Sequence, residues 1–131
     1  MNAFNGASKW QPQALAILRI VTGLTLLGHG LVKLIGFPAG AEPGQQELMT
    51  LLGVGSVLET VGGVLIILGL FTRPTAFVLS GMMAVAYWMF HAPSSPFPVI
   101  NGGDAAILYC FIFLYLVTSG PGAWSLDGRK K

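Results

Sequence analysis

The 24 residues from Leu48 to Phe71 are apolar or small almost without a break, and they hold one ionisable side chain, Glu59, near the middle. About 20 such residues in a helix cross the hydrocarbon of a bilayer. A carboxylate at that depth is costly unless it turns toward protein and finds a partner. The partners on offer lie in the preceding apolar run: Arg19, His29 and Lys33. The chain is therefore expected to fold so that these polar groups meet.

Composition points the same way. Of the 131 residues, 53% are hydrophobic and 9% charged, against about 25% charged in a soluble domain. The net charge of +2 is carried between the apolar blocks and at the ends, which reports topology and gives no basis for nucleic-acid binding. One cysteine, Cys110, excludes an internal disulfide or a two-thiol redox pair.

Four apolar runs punctuate the chain and predict four helices, at 13–35, 48–71, 74–91 and 104–119. A cleaved secretory signal competes for the first, because Ala39-Gly40-Ala41 resembles a cleavage site. That run is longer than a typical signal core and carries Arg19, His29 and Lys33, so a retained span is expected. Pro74 suits the first turn of the third helix. Gly120-Pro121-Gly122 stops the fourth, which is short for a span and should stand nearly upright. Trp10 and Trp124 suit the headgroup level.

Four spans put both termini on one side. Lys9, Arg73 and the Arg129–Lys131 tail fall there, while the loops on the other side carry no Lys or Arg. The positive-inside rule then makes both termini cytoplasmic. The expected fold is all-α, a four-helix integral membrane bundle forming a single domain over residues 1–131.

Aligning the helices at about 1.5 Å per residue puts Glu59 near the midplane and Arg19 toward the cytoplasm. His29 and Lys33 lie toward the opposite face, on one side of their helix at i and i+4. His91, Asn101 and Asp104 cluster at the far ends of helices three and four. Gly55, Gly62 and Gly69, seven apart, mark a seam where another helix can approach closely. His29, Lys33, Glu59, Tyr87, His91, Asn101 and Asp104 are the candidate ligand-binding residues. Arg19 and Glu59 are the candidate structural ion pair, and Arg19 can alternatively reach the cytoplasmic interface. The plainer readings are that Lys33 extends outward to the interface, that Asn101 caps helix four, and that His91 bonds the last carbonyls of helix three. The spacing of the His and acidic residues fits no metal site, and no nucleotide-binding or haem motif is present.

Several segments, in order, resemble one family. Arg19-Ile20-Val21-Thr22-Gly23 followed by His29-Gly30-Leu31-Val32-Lys33-Leu34 resembles the first helix of the DoxX family. Leu58-Glu59-Thr60-Val61-Gly62-Gly63 and Leu68-Gly69-Leu70-Phe71-Thr72-Arg73-Pro74 resemble its second helix and turn. Phe97-Pro98 with Asn101-Gly102-Gly103-Asp104 is similar to the stretch before its last helix, and Gly120 to Asp127 to its C-terminal signature. Asp104 departs from the glutamate expected in many members. The resemblance implies a small protein of the bacterial inner membrane. Some relatives are described as quinol oxidase subunits or as parts of membrane redox and thiol-stress systems.

The leading functional expectation is an accessory component of such a system, an oxidoreductase subunit in that sense. It would bind a quinone-like or hydrophobic ligand between its helices, with His29 and Glu59 at the ligand's polar end. No electron carrier is encoded visibly, so a membrane or peripheral redox partner would carry the electrons. The lipid bilayer and a second copy of the chain are the other expected partners. One alternative is a non-enzymatic assembly factor for other membrane proteins. Another is a transporter of a small solute or of protons.

Overall fold

A computed structural model describes residues 3–129, and no strand occurs among them. A single 3₁₀ turn, Ala7–Trp10, leads into α1, Gln11–Ile35. Then come α2, Leu51–Leu68, and α3, Thr72–Ala86, which runs on through a π turn at Tyr87–His91. A one-turn helix α4, Pro98–Asn101, precedes α5, Asp104–Ser119, and a last turn, α6, covers Leu126–Arg129. Three helical stretches are long and apolar enough to cross a membrane: Ala7–Ile35, Leu51–Leu68 and Thr72–Ser94. The 16-residue α5 is apolar but shorter, about 24 Å at the helical rise.

The helix ends follow local chemistry. α2 starts at Leu51, three residues later than its apolar run, because Thr50 caps it and accepts a hydrogen bond from the Gly53 N–H at 3.0 Å. It stops at Leu68 because Gly69 adopts a left-handed conformation, with φ of 66°, and closes the last turn. α3 consequently begins at Thr72, ahead of Pro74.

Two helix pairs, α1 with α2 and α3 with α5, are joined through α2 against α3. Leu26, Ile66, Ala76, Leu79, Met83, Phe113 and Leu116 form the buried core between them. Many large apolar side chains point outward, among them Ile17, Val21, Leu24, Val61, Phe77, Val85 and Phe111. In water so much exposed apolar area would drive association, whereas in lipid it is the expected coat. The beginnings of α1 and α3 and the ends of α2 and α5 share one end of the molecule. The basic tail expected there includes Lys130 and Lys131, which lie outside the described residues.

The glycine seam is laid out differently from its sequence expectation. A Cβ at Gly62 would meet the Leu79 side chain of α3 at 2.9 Å, while one at Gly55 would meet nothing within 4 Å. A close backbone approach between two long helices is instead made by α1 and α2 and uses other glycines. A Cβ at Gly23 would lie 3.0 Å from the Gly63 carbonyl oxygen, and one at Gly30 only 2.8 Å from the Thr60 nitrogen. Gly23 and Gly30 repeat one heptad on α1 and open that helix to α2. On α2, neighbouring Gly62 and Gly63 serve two different partner helices.

Candidate functional site

The close contact of α1 and α2 builds the first polar site. Gly30 brings α1 against the α2 backbone beside Glu59, and a Cβ there would sit 3.1 Å from the Glu59 Cβ. Lys33, one turn further along α1, forms a salt bridge with Glu59. The Glu59 side chain is 6% exposed and that of Lys33 17%. The midspan acid thus faces protein and has a basic partner. Lys33 turns inward to it, which replaces the expectation that it extends outward to the interface. Of the candidate partners for Glu59, Arg19 is engaged elsewhere, and no salt bridge joins the two.

His29 lies on the flank of the same helix and is exposed. Its ring meets Tyr109 of α5 edge-on, with centroids 6.1 Å apart. Tyr109 in turn stacks on Phe113 at 6.0 Å. The result is an ion pair of a buried acid and a half-buried lysine, with an exposed imidazole and a half-buried phenol beside it. Tyr109 is not among the candidate residues taken from the sequence. Its position four residues ahead of Phe113 was the available signal, since such a pair shares a helix face.

Tyr87, His91 and Asn101 form a second cluster, where the π turn meets α4. The Asn101 side-chain nitrogen donates to the Tyr87 hydroxyl and to the Ser95 carbonyl, both at 3.0 Å, and its oxygen accepts from the Gly103 N–H at 2.8 Å. Asn101 therefore ties the loop together and does not cap α5, whose N-cap is Gly103 with no side-chain bond. His91 Nδ1 pairs with the Asn101 carbonyl at 3.0 Å, a contact across the loop in place of one with the end of its own helix. Asp104 opens α5 and is exposed, where its charge complements the helix dipole.

The third polar centre, at the opposite end, was not foreseen. Arg19 is fully buried. Its Nε donates to the Ile66 carbonyl at 2.9 Å, Nη1 to the carbonyls of Pro121 and Ala123, and Nη2 to the Trp124 carbonyl at 2.8 Å. The planar fork suits it to several carbonyls at once. It binds the end of α2 to the segment after α5. Asp127 completes the join, accepting from the N–H groups of Phe71 and Thr72 at 2.9 Å each. A residue 55 positions away thus caps α3. Arg73 donates to the carbonyls of Val117 and Thr118 at 2.8 Å and closes α5. The sequence marked Gly120 to Asp127 as a signature, but nothing local linked it to Arg19.

Among the described residues no group of three or more His, Cys, Asp or Glu side chains is placed to hold a metal ion. The two clefts described lie at the Arg19 end, one of about 560 Å³ between Ile67 and Arg129, the other of about 470 Å³ between Phe71 and Ser119.

A small all-helical chain with apolar spans, an outward apolar coat and internal ion-pair chemistry defines the class: a multi-pass helical membrane protein, in contact with lipid. Comparison with known proteins specifies it further. The family model DoxX matches residues 14–92, and the chain belongs to the DoxX family. It is 43% identical to an uncharacterized protein of Haemophilus influenzae, over 95% of this chain and 96% of that one. It is 32% identical to the inner membrane protein YphA of Escherichia coli, over 91% of each. Identity to the inner membrane protein YqjF of Escherichia coli is 28%, over 91% of this chain and 93% of the relative. No solved structure matches. The protein is a bacterial inner-membrane protein.

Proposed function

We propose that this protein is a small accessory component of a membrane redox system and holds a quinone-like ligand at the α1–α5 flank beside Glu59. In this reading α5 spans with the other three helices, both termini are cytoplasmic, and residues 1–131 form one membrane domain. Arg73 and Arg129 at the Arg19 end support that orientation, since cytoplasmic loops are enriched in Lys and Arg.

The observation that carries the proposal is the Lys33–Glu59 pair with exposed His29 and half-buried Tyr109 next to it. A buried ion pair adds little net stability compared with apolar packing, so stability alone is a weak reason to keep one at midspan. A lipid-dissolved ligand arrives sideways through the bilayer and must meet polar groups on a flank. His29 and Tyr109 supply hydrogen-bonding groups there, and exposed Leu24 and Leu108 on the same helices supply apolar wall. Glu59, held by Lys33, sets the charge behind them. A bound quinone would supply the two-electron chemistry, with electrons passing to a partner protein. Tyr87, His91, Asn101 and Asp104 form the rim of that half of the bundle in this scheme. A second copy of the chain would widen the same flank.

The test is lipid extraction from protein purified in mild detergent, with quinone quantified by chromatography. The expected result is near-stoichiometric quinone in the wild type and at least a fivefold loss in His29→Ala and Glu59→Gln that keep wild-type melting. Equal quinone in all three proteins would sink the proposal. Stable co-purification of a membrane complex without quinone would favour an assembly role instead.

A further inference from the structure

We propose that the segment joining α3 to α5, residues 92–103, is sunk into the bilayer interface, with Phe97, Val99 and Ile100 seated among lipid acyl chains. This surface is separate from the quinone reading and does not depend on it. By topology the segment is a loop, and loops ordinarily run through water. Its side chains and its hydrogen bonds are those of a segment kept from water.

The outward side is apolar. Val99 is 83% exposed and Ile100 70%, and Phe97 beside them is exposed too. The π turn ahead of them adds exposed Trp88, Met89 and Phe90, which continue the lipid-facing coat of α3. No ionisable side chain lies in residues 92–103. The other loop at this end, residues 36–50, carries exposed Glu42 and Glu47. A docking face for a soluble protein would have a polar rim, whereas this patch runs into lipid-facing helix.

The inward side is paired. Ser94 Oγ donates to the His91 carbonyl at 2.9 Å, and Ser95 Oγ accepts from the Phe97 N–H at 3.2 Å. Asn101, the remaining polar side chain, bonds Tyr87, Ser95 and Gly103. The N–H groups of Ile100 and Asn101 reach the Phe97 carbonyl at 2.9 Å, and that of Gly102 reaches the Pro98 carbonyl at 3.0 Å. Pro93, Pro96 and Pro98 have no N–H to satisfy. Water would solvate such groups unaided, but near hydrocarbon they need partners within the protein.

Asp104 sets the depth. It is exposed at the start of α5, and a lone carboxylate is costly in hydrocarbon, so it stays at the headgroup level. The adjoining α4 then lies along the interface, its apolar side chains about 5–10 Å into the headgroup–acyl boundary, as in other interfacial helices.

The test is spin-label accessibility in proteoliposomes of the full chain. Cys110→Ser removes the native thiol, with Cys110→Ala in its place should the serine variant melt early. Val99→Cys and Ile100→Cys are labelled singly, with Val85→Cys on α3 as the lipid reference and Glu42→Cys as the water reference. Relaxation by oxygen, which enters hydrocarbon, is compared with relaxation by a polar nickel chelate, which does not. The oxygen-to-nickel ratio at Val99 and Ile100 is expected to match Val85 and to exceed that at Glu42 by about tenfold or more. A ratio like that of Glu42 puts the segment in water and overturns the proposal. Shielding from both reagents means that a second copy of the chain covers the patch, and overturns it equally.

Discussion

Replacing Arg19 by alanine should loosen the whole Arg19 end of the bundle. The side chain is fully buried and gives hydrogen bonds to four carbonyls, those of Ile66, Pro121, Ala123 and Trp124. Hydrogen bonds inside membrane proteins average about 0.6 kcal/mol, which sets a floor of roughly 2.5 kcal/mol for the four. Charge-assisted bonds are worth about 1.5–3 kcal/mol each, but the four share one guanidinium and are not additive. An expected loss of about 3–5 kcal/mol is in line with breaking other buried charged contacts. Arg19→Lys keeps the charge but presents a point ammonium in place of the fork, and should recover less than half. The assay is reversible unfolding in mixed micelles, combined with limited proteolysis at Gly120 to Asp127. In the variants that segment should be cut well before the helices unfold. A loss under about 0.5 kcal/mol, or unchanged protease resistance of the segment, would refute the idea that Arg19 holds the C-terminal segment to α2.

Gly30→Ala should cost about 1–3 kcal/mol through overpacking, because its Cβ would meet Thr60 Oγ1 at 2.5 Å and backbone at 2.8 Å. Gly55→Ala has open space and should gain up to about 1 kcal/mol from helix propensity; equal effects at both positions in a melting series would show the α1–α2 contact to be misplaced. Lys33→Met leaves Glu59 buried without its partner and should cost about 3–5 kcal/mol, with Lys33→Met/Glu59→Gln recovering most of it; a double-mutant cycle with no coupling would contradict the ion pair. Asp127→Ala removes the acceptor for two N–H groups at the start of α3 and should cost about 1–2 kcal/mol, read as earlier hydrogen exchange at Phe71 and Thr72.

How legible the chain was depended on whether the controlling interaction was local. The apolar runs declared the helices because burying a span in lipid demands length and apolarity and little else. Glu59 declared itself because a lone acid in such a run has to find a partner. Thr50 and Gly69 trimmed α2 at both ends through capping, visible only once the turn geometry was known. The glycine pattern misled in part, since Gly62 and Gly63 are neighbours in sequence yet face different helices. Spacing on α2 alone could not reveal that Gly23 and Gly30 of α1 make the closer contact.

The sequence by itself determined the solvent of this protein, its helices, its family and the presence of a midspan acid needing a partner. Each of these is set by composition and by forces acting within a few turns of chain. Only the tertiary structure decided which cation meets Glu59, that Asn101 ties a loop and caps nothing, and that Arg19 and Asp127 fasten the C-terminal segment to α2 and α3. The ion pair and the Arg19 and Asp127 fastenings join residues 26 to 105 positions apart. They turn on hydrogen-bond geometry of an ångström or less, which helix packing fixes and sequence spacing does not.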